Sequence, residues 1–499
     1  MQLLILGHPY HYEMENLTRV FFPGKPLRVL HEPEAEPDGE RVVTGMEERG
    51  EECRLYVRYE KGGEKAERET TVSLKDLAGE EKEPLCELCM ANLLFDLLCS
   101  VTGDRPSWGI LTGVRPVKLL RRLILADGGE KAAEHFRREL RVSEEKIKLA
   151  LDCERNEAVI LKRSRPESYS LYLSIPFCPT RCAYCSFVSQ SIERAGKLIA
   201  PYLERLQEEL RETAAIAKGL GLRLETVYIG GGTPTILSAE QLSRLIGTVT
   251  EAFDTACLRE FTVEAGRPDT LDREKLLALR GSGVTRISIN PQTLNDQVLE
   301  AIGRRHTGAQ TLNAFDLARD CGMDNINMDL IAGLPGDTLA SFRDTLERVI
   351  DLSPESITVH TLSIKKSARL TGEDAPVLPG GPATAEMVKH SAERLSAAGY
   401  IPYYLYRQSK MLGNLENVGW SKPGFESDYN VYIMDETHTI LACGAGGVTK
   451  LRQPGGDHIQ RIFNYKFPYE YCNRFEDILT RKKGIEAFYE KFGQFPSKR

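Results

Sequence analysis

From Tyr169 onward the chain repeats one pattern, a short apolar strand followed by an amphipathic helix. "YSLYLSIPF" leads to "YLERLQEELRETAAIA", "ETVYIGG" to "SAEQLSRLIGTVTEAF", and "EFTVEAG" to "LDREKLLALRGSG". "TRISIN" precedes "NDQVLEAIG" and "AQTLNAFDLARDCG", "NINMDLIAG" precedes "LASFRDTLERVI", and "SITVHTLSI" is the last strand. A strand whose neighbour follows only after a helix runs parallel to it, because a parallel pair needs a long crossover. Six such strands are too few for a closed eight-stranded barrel. The expected fold is therefore α/β, an open partial (βα)6 barrel, with a flat doubly wound sheet as the alternative.

The 499 residues exceed what one core usually holds, so further domains are expected. Residues 1–82 read as a β-rich N-terminal domain, in which "ECRLYVRYEKGGEKAERETTVSL" is a hairpin about a Gly-Gly turn. Residues 83–165 read as helical, 166–381 as the partial barrel and 382–499 as a C-terminal α+β domain. In "RPVKLLRRLILADGG", Arg115, Lys118, Arg121 and Arg122 form a basic face, read as a solvated helix side. With 41% hydrophobic and 27% charged residues the composition is that of a folded chain. The net charge of −7 argues against broad nucleic-acid binding. No apolar run is expected to reach the ~18 residues of a membrane span, and the opening "MQLLILGHPYHYEMEN" lacks a basic leader. A cytoplasmic protein is expected, with its twelve cysteines reduced. Isolated cysteines such as Cys53, Cys153, Cys257 and Cys321 read as small core residues, and Cys86 and Cys89 as part of a buried helix.

In parallel α/β folds the chemistry lies at the carboxyl edge of the sheet. Here the first strand is followed by "CPTRCAYC", with Cys178, Cys182 and Cys185. The second is followed by "GGGTP", Gly230 to Pro234; Glu264 closes the third, Gln292 ends the fourth, and Asp329 lies in the fifth. A structural zinc site asks for four ligands, and no fourth Cys or His is near in sequence. Three thiolates on a [4Fe–4S] cluster leave one iron open to a small chelate such as an amino acid. Zinc with a distant fourth ligand, or three structural cysteines, remain the alternatives. "GGGTP" fits neither a phosphate loop nor a dinucleotide fingerprint; its bare backbone suits the close approach of a ligand.

The C-x-x-x-C-x-x-C motif, with an aromatic before its last cysteine and a glycine-rich second strand, resembles the radical S-adenosylmethionine (AdoMet) superfamily. "YLSIPFCPTRCAYC", "YIGGGTPT", "VEAGRPD", "RISINPQTLN", "GRRHT" and "INMDLIAGLPG" are together similar to the oxygen-independent coproporphyrinogen III oxidase group and its related heme chaperones. "WGILTGVRPVKLLRRL" and "YRQSKMLGNLENVGW" look most like its HemZ-type branch, the coproporphyrinogen dehydrogenases. The resemblance implies that Cys178, Cys182 and Cys185 ligate a [4Fe–4S] cluster and that Tyr172 and Tyr184 flank it. It implies AdoMet contacts from Gly231, Gly232, Thr233 and Glu264, and a second AdoMet at Gln292, Arg304 and Asp329, with Ser363 and Val448 as further matches. No catalytic side chain is assigned.

The implied activity is oxidative decarboxylation of coproporphyrinogen III propionates to vinyl groups, giving protoporphyrinogen IX, with electrons from a low-potential donor of the flavodoxin or ferredoxin type. Cationic partners for that tetra-anionic substrate would come from Arg305, Lys365, Lys366, Arg369, Arg407 and Lys410. The chain departs from the family at Ser174, where a histidine is usual, and at Ser186 and Phe187, which follow the third cysteine where the oxidases place a fourth nearby. A heme-binding chaperone, with His306, His360, His438 or His458 as ligand, is thus the second reading, and another radical reaction on a tetrapyrrole the third. A plain electron carrier would have no need of "GGGTP" and Glu264.

Overall fold

Alternating burial along the early strands shows how the first sheet forms. The computed structural model describes residues 1–32, 39–75, 79–364, 378–408 and 411–493, and the chain divides into two units. The first comprises Met1–Leu151 with Tyr406–Glu416. Its five-stranded sheet runs in the order Arg28–Leu30, Gln2–Leu6, Glu40–Arg49, Glu52–Lys61, Glu64–Ser73. Cys53, Leu55 and Val57 point inward from the fourth strand of that order, and Arg54 and Arg58 outward onto Glu69 and Glu67. The helix Gly79–Thr102 covers the inner face with Cys86, Met90, Leu94, Phe95 and Leu98. Its stretch Glu81–Thr102 is apolar and long enough to cross a membrane. This corrects the expectation of no run of that length, which misses the stretch because Glu87 and Asp96 break it up; here it packs into the core of the sheet. Deeper still, Glu416 accepts hydrogen bonds from Trp108 Nε1 and Lys146 Nζ, each at 2.7 Å.

The second unit, Asp152–Leu405 with Asn417–Arg499, holds the strand–helix repeat. Its strands β1 (Ser168–Ile175), β2 (Arg223–Gly231), β3 (Glu260–Glu264), β4 (Arg286–Ser288), β5 (Ile326–Ala332) and β6 (Ser356–Thr361) lie side by side in chain order, all parallel. A doubly wound sheet would reverse direction partway; this one does not, and it stays open as a partial barrel. Ser238 and Gln241 form a capping box at the helix after β2, and Thr307 and Gln310 repeat it before β5.

The chain after 400 lengthens this sheet at both edges. Asn417–Ser421 pairs antiparallel with β6, and Ile401–Tyr406 lies beyond it. Thr439–Cys443 pairs parallel with β1 and is followed outward by Val448–Arg452 and Ile459–Phe463. At the amino ends of the strands, Asp428 binds Arg259 and Arg163, Ser427 donates to Glu260, and Arg286 reaches Ser356. Of the isolated cysteines, Cys53, Cys153 and Cys321 are buried as expected, whereas Cys257 is exposed because it falls in the turn between a helix and β3.

Candidate functional site

Beyond β1, the dipeptide Phe177–Cys178 pairs with Gln190–Ser191 and closes the residues between into a loop. That loop carries Cys182 and Cys185. It is tied down by Ala183 N–H to the Ile302 carbonyl at 2.9 Å, Thr180 Oγ1 to the Gly303 carbonyl at 3.0 Å, and Arg304 Nη2 to Tyr184 Oη at 3.1 Å. Burial pushes the Cys185 thiol up to about 11, helped by the sulfurs of Cys182 and Cys178, and burial raises Cys178 as well. Three thiolates so close therefore need a cationic partner. Among the described residues no three Cys, His, Asp or Glu side chains are placed to hold a single metal ion. Three thiols on one short loop are nonetheless the donor set that a [4Fe–4S] cluster takes.

The glycines form the next wall. Gly232 N–H donates to the Ile175 carbonyl and Thr233 N–H to the Phe177 carbonyl, both at 2.8 Å. A Cβ on Gly232 would stand 2.5 Å from Phe177 O, 2.8 Å from Ile175 O and 3.0 Å from Cys178 Sγ. A Cβ on Gly230 would stand 2.8 Å from the Tyr228 ring and 3.1 Å from the Glu264 carboxyl. Gly231 has φ +104, a conformation that favours glycine. The ribbon thus lies wedged between the first cysteine and Glu264, which also accepts a backbone hydrogen bond from Gly231. Glu264 accepts from Tyr228 Oη at 2.5 Å. Burial, aided by the Asp329 charge and opposed by the Tyr228 bond, pushes its carboxyl up to about 7. Tyr228 stacks on Tyr429 with centroids 4.5 Å apart and on Tyr172 at 6.2 Å.

A second polar group sits at the ends of β4 to β6. Gln292 lies past the end of β4 with φ +66; its N–H donates to the Asp329 carbonyl at 2.9 Å and its own carbonyl accepts from Ile331 at 3.0 Å. Its Oε1 is buried and meets no hydrogen-bond partner among the described residues. Asp329 accepts from Asn327 Nδ2 at 2.7 Å and stands 3.6 Å from His360 Nε2. Burial would raise the Asp329 carboxyl, yet His360, Asn327 and Thr358 hold it below the usual range. Arg304 differs from its two predicted companions: Nη1 donates to the Asn290 carbonyl at 2.6 Å and Nη2 to Tyr184, so it joins the cysteine loop to the end of β4.

The structure therefore brings Cys178, Gly231, Gly232, Thr233, Glu264 and Tyr172 together, and Gln292 with Asp329. The candidate cations are scattered. Arg305 is 70% exposed and paired with Glu193; Arg407 is buried in the first unit and donates to backbone carbonyls, among them Asn414 at 2.9 Å. Lys365, Lys366, Arg369 and Lys410 lie outside the described residues. Ser363 follows β6, and Val448 opens the strand Val448–Arg452. Tyr228 and Arg267 also belong to the site and were not foreseen. Tyr228 shares the strand parity of Gly230, which is a legible signal; Arg267 had none beyond its place in "GRPD". Ser174 donates to the Ala445 carbonyl at 2.7 Å and touches the Gly231 ribbon, so a side chain smaller than histidine fills that place.

Comparison with known proteins agrees. The model of the radical SAM superfamily matches residues 172–349. The oxygen-independent coproporphyrinogen-III oxidase-like protein HemZ of Bacillus subtilis is 39% identical over 432 residues, 85% of this chain and 86% of that one. The heme chaperone HemW of the same organism is 34% identical, covering 66% of this chain and 89% of its own. The solved coproporphyrinogen III oxidase (HemN) from Escherichia coli shares the fold, at TM-score 0.50 and 23% identity over 65% of this chain and 73% of that one. The chain belongs to the radical SAM superfamily, whose cofactors are a [4Fe–4S] cluster and AdoMet, and within it to the oxygen-independent coproporphyrinogen III oxidase-like group.

Proposed function

We propose that this chain carries out the oxygen-independent oxidative decarboxylation of coproporphyrinogen III. Each reacting propionate gives a hydrogen atom to the AdoMet-derived radical, releases CO2 and passes one electron to an external one-electron acceptor to become a vinyl group. Cys178, Cys182 and Cys185 would hold the cluster, which with AdoMet supplies a strongly oxidising carbon radical. The chain's own residues bind and orient. The Gly231–Gly232 ribbon, having no side chains, lets the amino acid end of AdoMet approach the backbone beside Cys178. Glu264, when ionised, offsets positive charge on that ligand, and Tyr228 keeps its carboxylate aimed inward. Tyr172, Tyr228 and Tyr429 supply apolar ring faces that exclude water from the interior of the sheet.

The observation that carries this reading is the second polar group. Gln292, held at φ +66 with Oε1 unpartnered beside Asp329, is a hydrogen-bonding position built into the same sheet edge as the first. A site that only stored a tetrapyrrole would have no use for it. The relatives named as heme chaperones support a second reading, in which heme is held and passed on. The histidines speak against it. His306 is buried near Asp269, His438 is buried against Ser170 and Tyr432, and His458 stacks near Phe492, so these three do not converge. His360 is paired with Asp329.

The deciding experiment is an anaerobic incubation of reconstituted protein with a strong reductant, AdoMet and coproporphyrinogen III, read by mass spectrometry. Decarboxylated porphyrinogen formed together with 5′-deoxyadenosine is the expected result. AdoMet cleavage with every carboxylate retained would reject this substrate, and stoichiometric heme binding without AdoMet cleavage would favour the chaperone.

A further inference from the structure

Arg267 stands three residues beyond the end of β3, and its side chain is 4% exposed. Its Nε and Nη2 grip Asp269 in a fork, each at 3.0 Å from one carboxylate oxygen. The remaining nitrogen, Nη1, points into the cysteine loop: it donates to Thr180 Oγ1 at 3.1 Å and reaches Cys182 Sγ at 3.8 Å. Behind Asp269 stands His306, with Nδ1 3.7 Å away and neither ring nitrogen hydrogen-bonded among the described residues. Burial and the Arg304 and Arg267 charges keep His306 neutral, so it does not compete for the carboxylate. Asp269 is thus a dedicated holder of Arg267.

We infer that Arg267 is a positioning residue that donates an N–H···S hydrogen bond to Cys182 and thereby raises the reduction potential of the cluster. The inference rests on the reading that Cys178, Cys182 and Cys185 hold that cluster. The Arg267–Asp269 pair is neutral as a whole but lies end-on to the sulfur, with its cationic end nearer. Adding an electron makes the cluster more negative, so the nearer positive end favours the reduced form. Hydrogen bonds to cluster sulfurs and burial are the levers by which proteins set such potentials. The bond also fixes the loop, since one guanidinium spans Thr180 and Cys182, and its planar fork is what an ammonium lacks.

The test is a redox titration of the full-length, anaerobically reconstituted protein followed by electron paramagnetic resonance, without substrate, on wild type, Arg267→Gln, Arg267→Lys and Asp269→Asn. Arg267→Gln should keep its iron and sulfide and reduce less readily by about tenfold in the equilibrium, which for one electron is about 59 mV more negative. Arg267→Lys should fall between, and Asp269→Asn should move the midpoint the other way. A fully loaded Arg267→Gln protein with the wild-type midpoint would overturn the inference. If Arg267→Gln takes up no iron, Asp269→Asn decides, and an unchanged midpoint there overturns it equally. A wild-type protein that takes up no iron and sulfide would instead refute the cluster reading itself, and this inference with it.

Discussion

Replacing Gly232 with alanine tests the glycine ribbon most sharply. The added Cβ would meet Phe177 O at 2.5 Å, Ile175 O at 2.8 Å and Cys178 Sγ at 3.0 Å. Ordinary contacts of this kind begin near 3.4 Å, so the neighbours must give way by several tenths of an ångström. Two of those neighbours are main-chain carbonyls already bonded to Gly232 and Thr233 at 2.8 Å. They cannot rotate aside as a side chain would, so the strand end carrying Cys178 has to shift. Overpacking of this kind costs about 1–3 kcal/mol. Displacing reacting groups by ~1 Å can cost ~100-fold in rate. We expect Gly232→Ala to fold, to bind AdoMet at least tenfold more weakly and to hold less iron. The assays are calorimetric AdoMet titration and iron and sulfide analysis after reconstitution. Gly247→Ala is the control: Gly247 lies inside the helix Ala239–Ala252 with nothing within 4 Å of its added Cβ. It should be neutral or stabilising by ~0.5–1 kcal/mol. Wild-type iron content and AdoMet affinity in Gly232→Ala would refute the idea that the ribbon shapes this site.

Four further outcomes are expected. Because the Glu264 carboxyl is pushed up to about 7, AdoMet affinity should fall as pH drops from 8 to 6, and Glu264→Gln should bind about tenfold more weakly with that dependence abolished. In the ligand-free protein the raised value has the opposite consequence for stability: the group's contribution is fully present below its unfolded value of 4.5 and is lost as pH rises through about 7, which chemical denaturation of wild type against Glu264→Gln would show. In the first unit, Glu416→Gln leaves Lys146 Nζ without its buried carboxylate and should destabilise that unit by ~3–5 kcal/mol; Trp108, bonded to the same carboxylate, reports the change by fluorescence, and an unaltered emission and midpoint would contradict it. Gln292→Gly should leave thermal stability unchanged or raise it by ~1 kcal/mol, since φ +66 strains glutamine, while lowering turnover; unimpaired turnover would remove Gln292 from the site.

Much of this protein is visible in local sequence. The period of strand and helix from Tyr169 determines six parallel strands, because both the two-residue and the 3.6-residue repeats are properties of a few adjacent residues. The spacing in "CPTRCAYC" and the bare "GGGTP" likewise place thiols and open backbone at consecutive strand ends. The capping box at Ser238 could be read for the same reason, as its partners are three residues apart. What the sequence could not tell was which distant groups would meet. The strands after residue 400 go to both edges of the sheet, and Tyr406–Glu416 returns to the first unit, although nothing in their own periodicity distinguishes one edge from the other. Arg267 and Cys182 are 85 positions apart, and Arg304 and Tyr184 are 120 apart. Strand parity and cysteine spacing are short-range and survive in any fold of these segments. The meeting of Arg267 with sulfur, or of Gln292 with the β5 backbone, exists only after every crossover helix has packed and set the strand ends side by side.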